Sequence, residues 1–200
     1  MSAIDTVIFD VGRVLVPLDF RRLLAFLESH GIDVAHVSEL LTRIDLAAYE
    51  RGAFDGEALL GRIESLADRP MDRSAMRAHW LDIFVPQEGM LELARRLSRS
   101  HRVFILSNVG DLHWEHLDAR WGIGSIGQGA IASYRVGASK PDPAIYRRAE
   151  DAFGLEPRRT VFIDDMVVNV DAARERGWRA IHHRDEPSTA EDLRALGVPA

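Results

Sequence analysis

Hydrophobic positions follow two patterns along the chain: short continuous apolar runs, and longer stretches in which apolar residues recur with helical spacing. Continuous runs rich in Val, Ile and Phe are typical of parallel strands buried on both faces. The sequence therefore predicts five strands, at residues 6–9, 102–106, 130–132, 160–163 and 178–181.

Helical spacing fills the chain between the first two of these strands. It predicts helices at 19–30, 34–51, 55–68 and 72–84, with Asp55 and Asp72 as N-caps of the last two. Beyond residue 86, predicted helices alternate with strands instead. They lie at 88–100, 112–121, 143–153 and 167–176, and a capping box from Ser188 to Glu191 predicts the start of a final helix.

This order of elements predicts an α/β fold. We expect a Rossmann-like parallel sheet with helices on both faces, interrupted after its first strand by an inserted α-helical cap. The expected core domain comprises residues 1–17 and 86–200, and the cap domain comprises residues 18–85. The junctions at 16–18 and 84–86 are the expected hinges of cap movement.

Composition narrows the functional classes. The chain has 200 residues, 46% of them hydrophobic, which is enough to bury a full core. A net charge of −6 argues against nucleic acid or an anionic membrane as partner, because both require a basic surface. The chain has no cysteine, which excludes disulfides and thiol catalysis. With no leader-like or spanning segment, we expect a soluble, cytoplasmic protein of unspecified oligomeric state.

Carboxylates follow two of the predicted strands. Asp10 comes directly after the first strand, and the adjacent pair Asp164 and Asp165 follows the strand at 160–163. Such an Asp is often only a turn former or a helix N-cap. Because parallel strands end at the same edge of a sheet, however, the three carboxylates can converge there. Three converging carboxylates would repel each other unless a cation such as Mg²⁺ lay among them.

Lys140 is the only lysine in the chain: the other 24 of its 25 lysine and arginine residues are arginine. An ammonium is a compact point charge that can sit among several oxygens, whereas a guanidinium is a broad planar fork. The single lysine therefore marks a place where arginine does not fit. The alternative is a lysine retained by chance on a solvated face.

A four-part pattern runs along the chain: Asp10, then Ser107 with Asn108, then Lys140, and finally Asp164 with Asp165. This pattern resembles the haloacid dehalogenase-like hydrolase superfamily, in the group with a helical cap after the first motif. The resemblance spans about residues 7–182. It implies that Asp10 attacks phosphorus and forms an aspartyl-phosphate.

The resemblance also implies roles for the other residues. Ser107 and Lys140 would hold the phosphoryl oxygens, with Asn108 and His113 as further substrate contacts and backbone N–H groups at 108–111 as anion donors. The Mg²⁺ ligands would be Asp10, Asp165 and the Gly12 carbonyl, with Asp164 acting through water. Asn169 would orient the acidic loop. The expected partner is a small phosphorylated molecule.

The sequence departs from the family at Gly12, where most phosphatases of the family carry an Asp that serves as general acid and base. One explanation is a substrate with a better leaving group, since family members with an Asp-x-Gly motif resemble sugar-phosphate phosphatases. Another is that His113, Asp19 or Glu50 supplies the proton. A third is a degenerate site that binds a phospholigand or another partner without hydrolysing it. A metal-independent 2-haloacid dehalogenase is a further alternative, although the acidic pair argues against it.

Overall fold

A computed structural model describes residues 3–35, 37–85 and 88–200. Across these residues the sheet has five strands, all parallel, in the order β3-β2-β1-β4-β5. Among the same residues we find no helix with the length and apolar character needed to cross a bilayer. The strands are β1 Thr6–Phe9, β2 Arg102–Ser107, β3 Gly129–Ala132, β4 Thr160–Asp164 and β5 Arg179–His182.

Alternate residues of β1 supply two separate hydrophobic clusters. Val7 and Phe9 pack into the larger one, and Ile8 packs into the smaller one, with all three side chains fully buried. Because successive side chains of a strand point to opposite faces, the sheet is covered on both sides. This confirms the predicted Rossmann-like α/β fold.

The helices that follow β1 precede β2 without any intervening strand of the sheet in the described residues. They are α1 Arg21–Ser29, α2 Val37–Arg43, α3 Leu46–Glu50, α4 Gly56–Glu64 and α5 Arg73–Leu81. Asp55 and Asp72 cap α4 and α5 as predicted, since each side chain accepts a hydrogen bond from a backbone N–H three residues later.

The single helix predicted at 34–51 is wrong in detail, because the structure divides it into α2 and α3. Asp45 separates the two helices with a left-handed backbone, φ 55°. Asp tolerates this conformation better than most residues, but hydrophobic spacing alone does not reveal it.

The remaining helices begin with α6, which leads into β2, and the others lie between and beyond the later strands. They are α6 Gly89–Leu97, α7 Asp111–Trp121, α8 Ser133–Val136, α9 Pro143–Phe153, α10 Val167–Glu175 and α11 Glu186–Ala195. The predicted capping box at Ser188 is wrong, because Asp185 is the N-cap of α11 and accepts a hydrogen bond from the Ser188 N–H. Pro187 in the first turn favours this earlier start.

The two junctions between the helical insertion and the sheet run side by side. Asp19 N–H donates to the Ile83 carbonyl at 2.7 Å, and Val85 N–H donates to the Pro17 carbonyl at 2.9 Å. Leu18 and Phe84 form an antiparallel bridge between them. Pro86, the last residue of the second predicted hinge and the first of the resumed core domain, lies outside the described residues.

Candidate active site

The carboxyl edge of the sheet brings the predicted carboxylates together. Phe9 of β1 is in register with Ile163 of β4, so Asp10 and Asp164, one residue further along, end side by side. One carboxylate oxygen from each of Asp10, Asp164 and Asp165 lies within 4.8 Å of the other two. This edge is where ligands bind in open α/β sheets.

Lys140 lies buried between two of these carboxylates. Its Nζ is 2.8 Å from Asp10 Oδ1 and 2.7 Å from Asp164 Oδ2, and it stands 5.3 Å from the centre of the Phe162 ring. Burial alone would lower the pKa of Lys140, but the two carboxylates outweigh it and raise the pKa, so the ammonium stays charged. This geometry contradicts the alternative that the lysine lies on a solvated face.

Asp164 has hydrogen-bond partners for both of its oxygens. Besides Lys140, it accepts from the Met166 N–H at 2.8 Å and from Asn169 Nδ2 at 3.0 and 3.2 Å. The Asn169 side chain therefore orients this carboxylate. Neither acidic side chain caps α10, whose N-cap position is Met166, so the alternative of a purely capping role does not apply.

Asp165 is more open than its neighbour. Its side chain is 17% exposed, against 0% for Asp164, and the Arg13 guanidinium approaches it at 3.9 Å. Its pKa is raised by partial burial and by the adjacent Asp164 charge. The oxygens of Asp164 are occupied by hydrogen bonds, whereas those of Asp165 are more open. Asp165 is therefore the better placed of the pair to bind a cation directly.

Asp10 is itself destabilised as an anion. Burial raises its pKa to about 6, and the Asp164 charge adds to this, while the Lys140 ammonium acts in the opposite direction. A divalent cation held by these three carboxylates would compensate the repulsion. An all-oxygen donor set of this kind suits a hard cation such as Mg²⁺.

Ser107 and Asn108 follow β2 at the same edge. Ser107 ends the strand with 2% of its surface exposed. The Asn108 amide is used elsewhere: its Nδ2 donates to the Lys140 carbonyl at 2.8 Å, and its Oδ1 accepts from the Lys140 N–H at 2.8 Å. Asn108 therefore positions the lysine backbone. In the predicted anion-binding loop, the Val109 N–H is also occupied, by Ser133 Oγ.

Gly12 has room for a side chain. A Cβ there would contact only Leu18 Cδ1, at 3.7 Å, and the backbone is not in the left-handed region. The neighbouring Arg13 is in that region, with φ 59°. The absence of an acidic side chain at position 12 is therefore not imposed by crowding.

Two of the three candidate replacements for the missing acid are engaged in other interactions. Asp19 forms a bidentate ion pair with Arg21, whose hydrogen bonds lower the pKa of Asp19 to about 2. His113 bonds through Nε2 to the Trp80 carbonyl at 2.9 Å and stacks on the Trp80 ring. Burial lowers the pKa of His113 to about 4, so at neutral pH its ring is neutral and does not act as an imidazolium acid.

The third candidate, Glu50, stands at the wall of a cavity of about 360 Å³ that we call the cap cavity. The cap cavity lies between helices α1–α5 and the sheet, and Gly12, Ser107 and Asn108 line it beside Glu50. Burial raises the pKa of Glu50 to about 7, and the nearby Asp10 charge contributes to the increase. A carboxyl group with this pKa can both give and take a proton near neutral pH.

Contacts that the sequence did not predict hold Glu50 in place. Ser133 Oγ donates to the Glu50 carbonyl at 2.5 Å. The preceding residue, Tyr49, donates its hydroxyl to Asp111 Oδ1 at 2.8 Å, and Asp111 Oδ2 accepts from the Gly56 N–H. These bonds join α3 and α4 to the body of the molecule next to the site. The sequence feature that could have indicated these contacts is the charged Asp111 in the first turn of α7. Its partner Tyr49 lies 62 residues away, so the sequence alone does not connect the two.

Comparisons with known proteins give a matching family and several relatives. A family model for haloacid dehalogenase-like hydrolases matches residues 4–177. Bifunctional epoxide hydrolase 2 of Sus scrofa is 38% identical over 63 residues, which are 32% of this chain; the chain spans only 11% of that relative's length. D-ribitol-5-phosphate phosphatase of Bacteroides thetaiotaomicron is 22% identical over 96% of this chain and 98% of its own.

A solved structure is similar over nearly the whole fold. A HAD family enzyme from Bacteroides thetaiotaomicron, crystallised in complex with magnesium and inorganic phosphate, superposes with a TM-score of 0.82. It is 24% identical, and the match covers 91% of this chain and 95% of that one. At this level of identity, the similarity shows a shared fold.

Proposed function

The chain belongs to the haloacid dehalogenase-like hydrolase family, and from its site we propose that it is a Mg²⁺-dependent phosphatase of small phosphate monoesters, acting through an aspartyl-phosphate on Asp10. One observation carries the proposal: the only lysine of the chain lies between Asp10 and Asp164, 2.8 and 2.7 Å from their oxygens. A cation fixed beside a nucleophilic carboxylate suits the transfer of an anionic group.

In the first step, a carboxylate oxygen of Asp10 attacks phosphorus, and the bond from phosphorus to the leaving oxygen breaks. The Lys140 ammonium and the Ser107 hydroxyl hold the phosphoryl oxygens in position. In the second step, water attacks the phosphorus of the aspartyl-phosphate, which releases inorganic phosphate and restores the Asp10 carboxylate. Each cycle therefore converts one ester and one water into an alcohol and phosphate.

The metal would be held by Asp10, Asp165 and the Gly12 carbonyl, with Asp164 acting through water. When bound, Mg²⁺ neutralises charge on the phosphoryl group and on the clustered carboxylates. The proximity of the three acidic side chains supports this assignment. So does the magnesium and phosphate complex of the Bacteroides thetaiotaomicron enzyme with the same fold.

Glu50 takes the place of the acid that the family usually carries at position 12. It lines the cap cavity beside Gly12 and Ser107, where a leaving group would emerge from the phosphate site. In the protonated form it gives its proton to the departing oxygen, and as a carboxylate it takes one from the attacking water. Its pKa of about 7 suits both tasks.

The division of the chain supports a role for the insertion in substrate selection. We assign residues 1–17 and 86–200 to a catalytic core domain and residues 18–85 to a cap domain that covers the site. Hydrogen bonds between the two junctions, such as that from Asp19 to Ile83, couple the two connections. Movement of the cap about these junctions would admit substrate and then exclude water.

The alternatives remain distinguishable by chemistry. A 2-haloacid dehalogenase needs no cation, and three converging carboxylates would oppose its anionic substrate without one. A phospholigand-binding protein would not need a nucleophile. The similarity to D-ribitol-5-phosphate phosphatase over almost the full length of both chains favours hydrolysis of a phosphate ester. The sugar phosphate expected from the Asp-x-Gly motif stays a prediction.

Hydrolysis of p-nitrophenyl phosphate with Mg²⁺ and with EDTA tests the proposal. We expect wild-type activity to require Mg²⁺, and Asp10→Asn to reduce kcat by roughly 10⁴-fold or more, as is usual when a nucleophile is removed. The control is Asp151→Asn, which makes the same change at an exposed position of α9. Activity that is unaffected by EDTA would contradict the metal assignment, and an active Asp10→Asn would contradict the nucleophile.

A further inference from the structure

The cap cavity continues away from the phosphate site as an almost wholly apolar space. Aliphatic and aromatic side chains from every helix of the insertion form its wall, together with residues of α7. Examples are Leu23, Leu27, Leu40, Ile63, Trp80 and Leu117. The charged side chains of its lining, Arg13 and Glu50, belong to the end that adjoins the phosphate site.

The polar groups further along this wall are few, and several of their atoms already have partners. The Tyr49 hydroxyl donates to Asp111 and accepts from the Leu112 N–H, and His113 Nε2 bonds to the Trp80 carbonyl. Among the described residues, only Trp80 Nε1 lines this space as a buried polar atom without a partner. A polyol would bring several hydroxyl groups into a space that offers few polar partners, which is unfavourable.

The size of the cap cavity indicates an occupant. Protein interiors are close-packed, and voids larger than a water molecule are few. A volume of about 360 Å³ equals roughly twelve times the share that one water molecule takes in the liquid. An apolar ligand of matching size would make dispersion contacts with the aliphatic and aromatic side chains of this wall.

We propose that the cap cavity binds an apolar leaving group, so that the substrate is the phosphate monoester of an aliphatic alcohol rather than a sugar phosphate. This inference rests on the proposed phosphatase function and names its substrate class. The phosphate lies at the charged edge of the sheet, and the hydrocarbon extends from it between the cap helices.

The chemistry of such an ester fits the site. An aliphatic alkoxide is a poor leaving group, so it must receive a proton as its bond to phosphorus breaks. Glu50 stands where the cap cavity meets the phosphate site and supplies that proton. The products are a neutral alcohol in the apolar cavity and, after attack by water on the aspartyl-phosphate, inorganic phosphate.

A homologous series of substrates tests the proposal. Butyl, hexyl, octyl and decyl phosphate are compared with ribitol and glucose phosphates, with p-nitrophenyl phosphate as a general phosphatase substrate. We expect kcat/KM to rise about fourfold with each added methylene until the cap cavity is full, and the polyol phosphates to be poorer substrates than butyl phosphate. A flat series, or a preference for the polyol phosphates, would overturn the proposal.

A variant that fills the cap cavity sharpens the test. Leu41 lines it and is half-buried, so Leu41→Trp reduces its volume without burying a new group in the centre of the core. We expect kcat/KM for decyl phosphate to fall about tenfold or more, since several methylenes lose their contacts, and the loss to become smaller as the alkyl chain is shortened. The control is Leu66→Trp, which alters a half-buried leucine outside the lining.

Binding separates failure of this inference from failure of the proposed function. Alkyl phosphonates, which cannot be hydrolysed, are titrated into wild type and Leu41→Trp with Mg²⁺ present. Affinity that increases with chain length in wild type, and less so in the variant, supports the apolar pocket even if no ester is hydrolysed. Affinity that is independent of chain length overturns it, even if p-nitrophenyl phosphate is hydrolysed.

Discussion

The edge of the sheet and the cap cavity recognise a ligand by opposite physical means. At the edge, the buried Lys140 ammonium lies within hydrogen-bonding distance of two buried carboxylates, Asp10 and Asp164. In the cap cavity, the wall is apolar and its few polar atoms are mostly occupied. Charges in a fixed arrangement select the phosphate and stabilise its transfer, whereas apolar contacts select the remainder of the molecule by size and hydrophobicity.

The two regions meet at Glu50, but different contacts position the sheet edge and Glu50. In the charged edge, strand register positions Asp10 beside Asp164, and hydrogen bonds from Asn108 position the backbone of Lys140. The place of Glu50 depends on bonds between the insertion and the body, from Ser133 and through the Tyr49 hydroxyl. Changes at the edge should therefore affect every substrate, while changes at Glu50 should matter most for esters with poor leaving groups.

After removal of the nucleophile itself, the largest effect is expected at Lys140. Lys140→Met removes the cation between Asp10 and Asp164, and we expect kcat for all phosphate esters to fall by roughly 10³-fold, as when a preorganised charge contact is lost from a transition state. Steady-state kinetics with p-nitrophenyl phosphate and octyl phosphate measures this. Equal losses for both substrates would show that the edge acts on the phosphate alone.

Lys140→Arg sharpens the same point. The site is buried and the ammonium contacts two carboxylates at once, an arrangement that the broader guanidinium does not reproduce. We expect Lys140→Arg to be nearly as impaired as Lys140→Met. Retention of most of the activity by the arginine variant would show that only the charge matters.

An intermediate effect is expected for Glu50→Gln, and it should depend on the leaving group. We expect about 10²-fold loss of kcat/KM for octyl phosphate, the lower end for loss of a general acid, and little loss of kcat/KM for p-nitrophenyl phosphate, whose leaving group needs no proton. The kcat values for both esters should fall if Glu50 also activates the water that attacks the shared aspartyl-phosphate. Glu50 has a pKa of about 7, so its acid form is present below that pH. The rate for octyl phosphate should therefore decline as pH rises above 7.

The pH profile provides the check on that assignment. In Glu50→Gln the decline above pH 7 should disappear for octyl phosphate, because the group that titrates is gone.

The raised pKa of Glu50 also affects the stability of the folded protein. Folding favours the protonated carboxyl, so its contribution to stability is present below the usual pKa of Glu and is lost as pH rises through about 7. Thermal unfolding of Glu50→Gln should show a weaker dependence on pH over this range.

Much of the sheet edge could be predicted from the sequence because it depends on local patterns. Buried strands ending in Asp10 and in Asp164 with Asp165 must meet if the strands are parallel, and the structure brings them within 4.8 Å. The single lysine among arginines was a compositional signal that the structure places between two carboxylates. For the carboxylates, the register of two parallel strands determines directly which side chains lie next to each other.

The cap side could not be predicted in the same way. Glu50, Asp19 and His113 were equivalent candidates in the sequence. Side-chain contacts separate them: a local ion pair with Arg21 for Asp19, and the distant Trp80 carbonyl for His113. The division of the helix at Asp45 depends on a left-handed backbone that hydrophobic spacing does not encode. The cap cavity is formed by side chains from several helices, so no single segment contains its signal.

The smallest effect is expected for Gly12→Asp, which introduces the acid that the family usually carries. The new Cβ would meet only Leu18 at 3.7 Å, so the side chain fits. If Glu50 already transfers the proton, Gly12→Asp should raise kcat/KM for octyl phosphate by less than about tenfold, well below the value of a missing general acid. The same substitution in Glu50→Gln should restore a large part of the lost activity, because the two groups would then serve one purpose and their effects would not add. A gain of 10²-fold or more in the wild-type background would instead show that proton transfer is absent from the natural site. Glu50 would then not be the residue that protonates the leaving group.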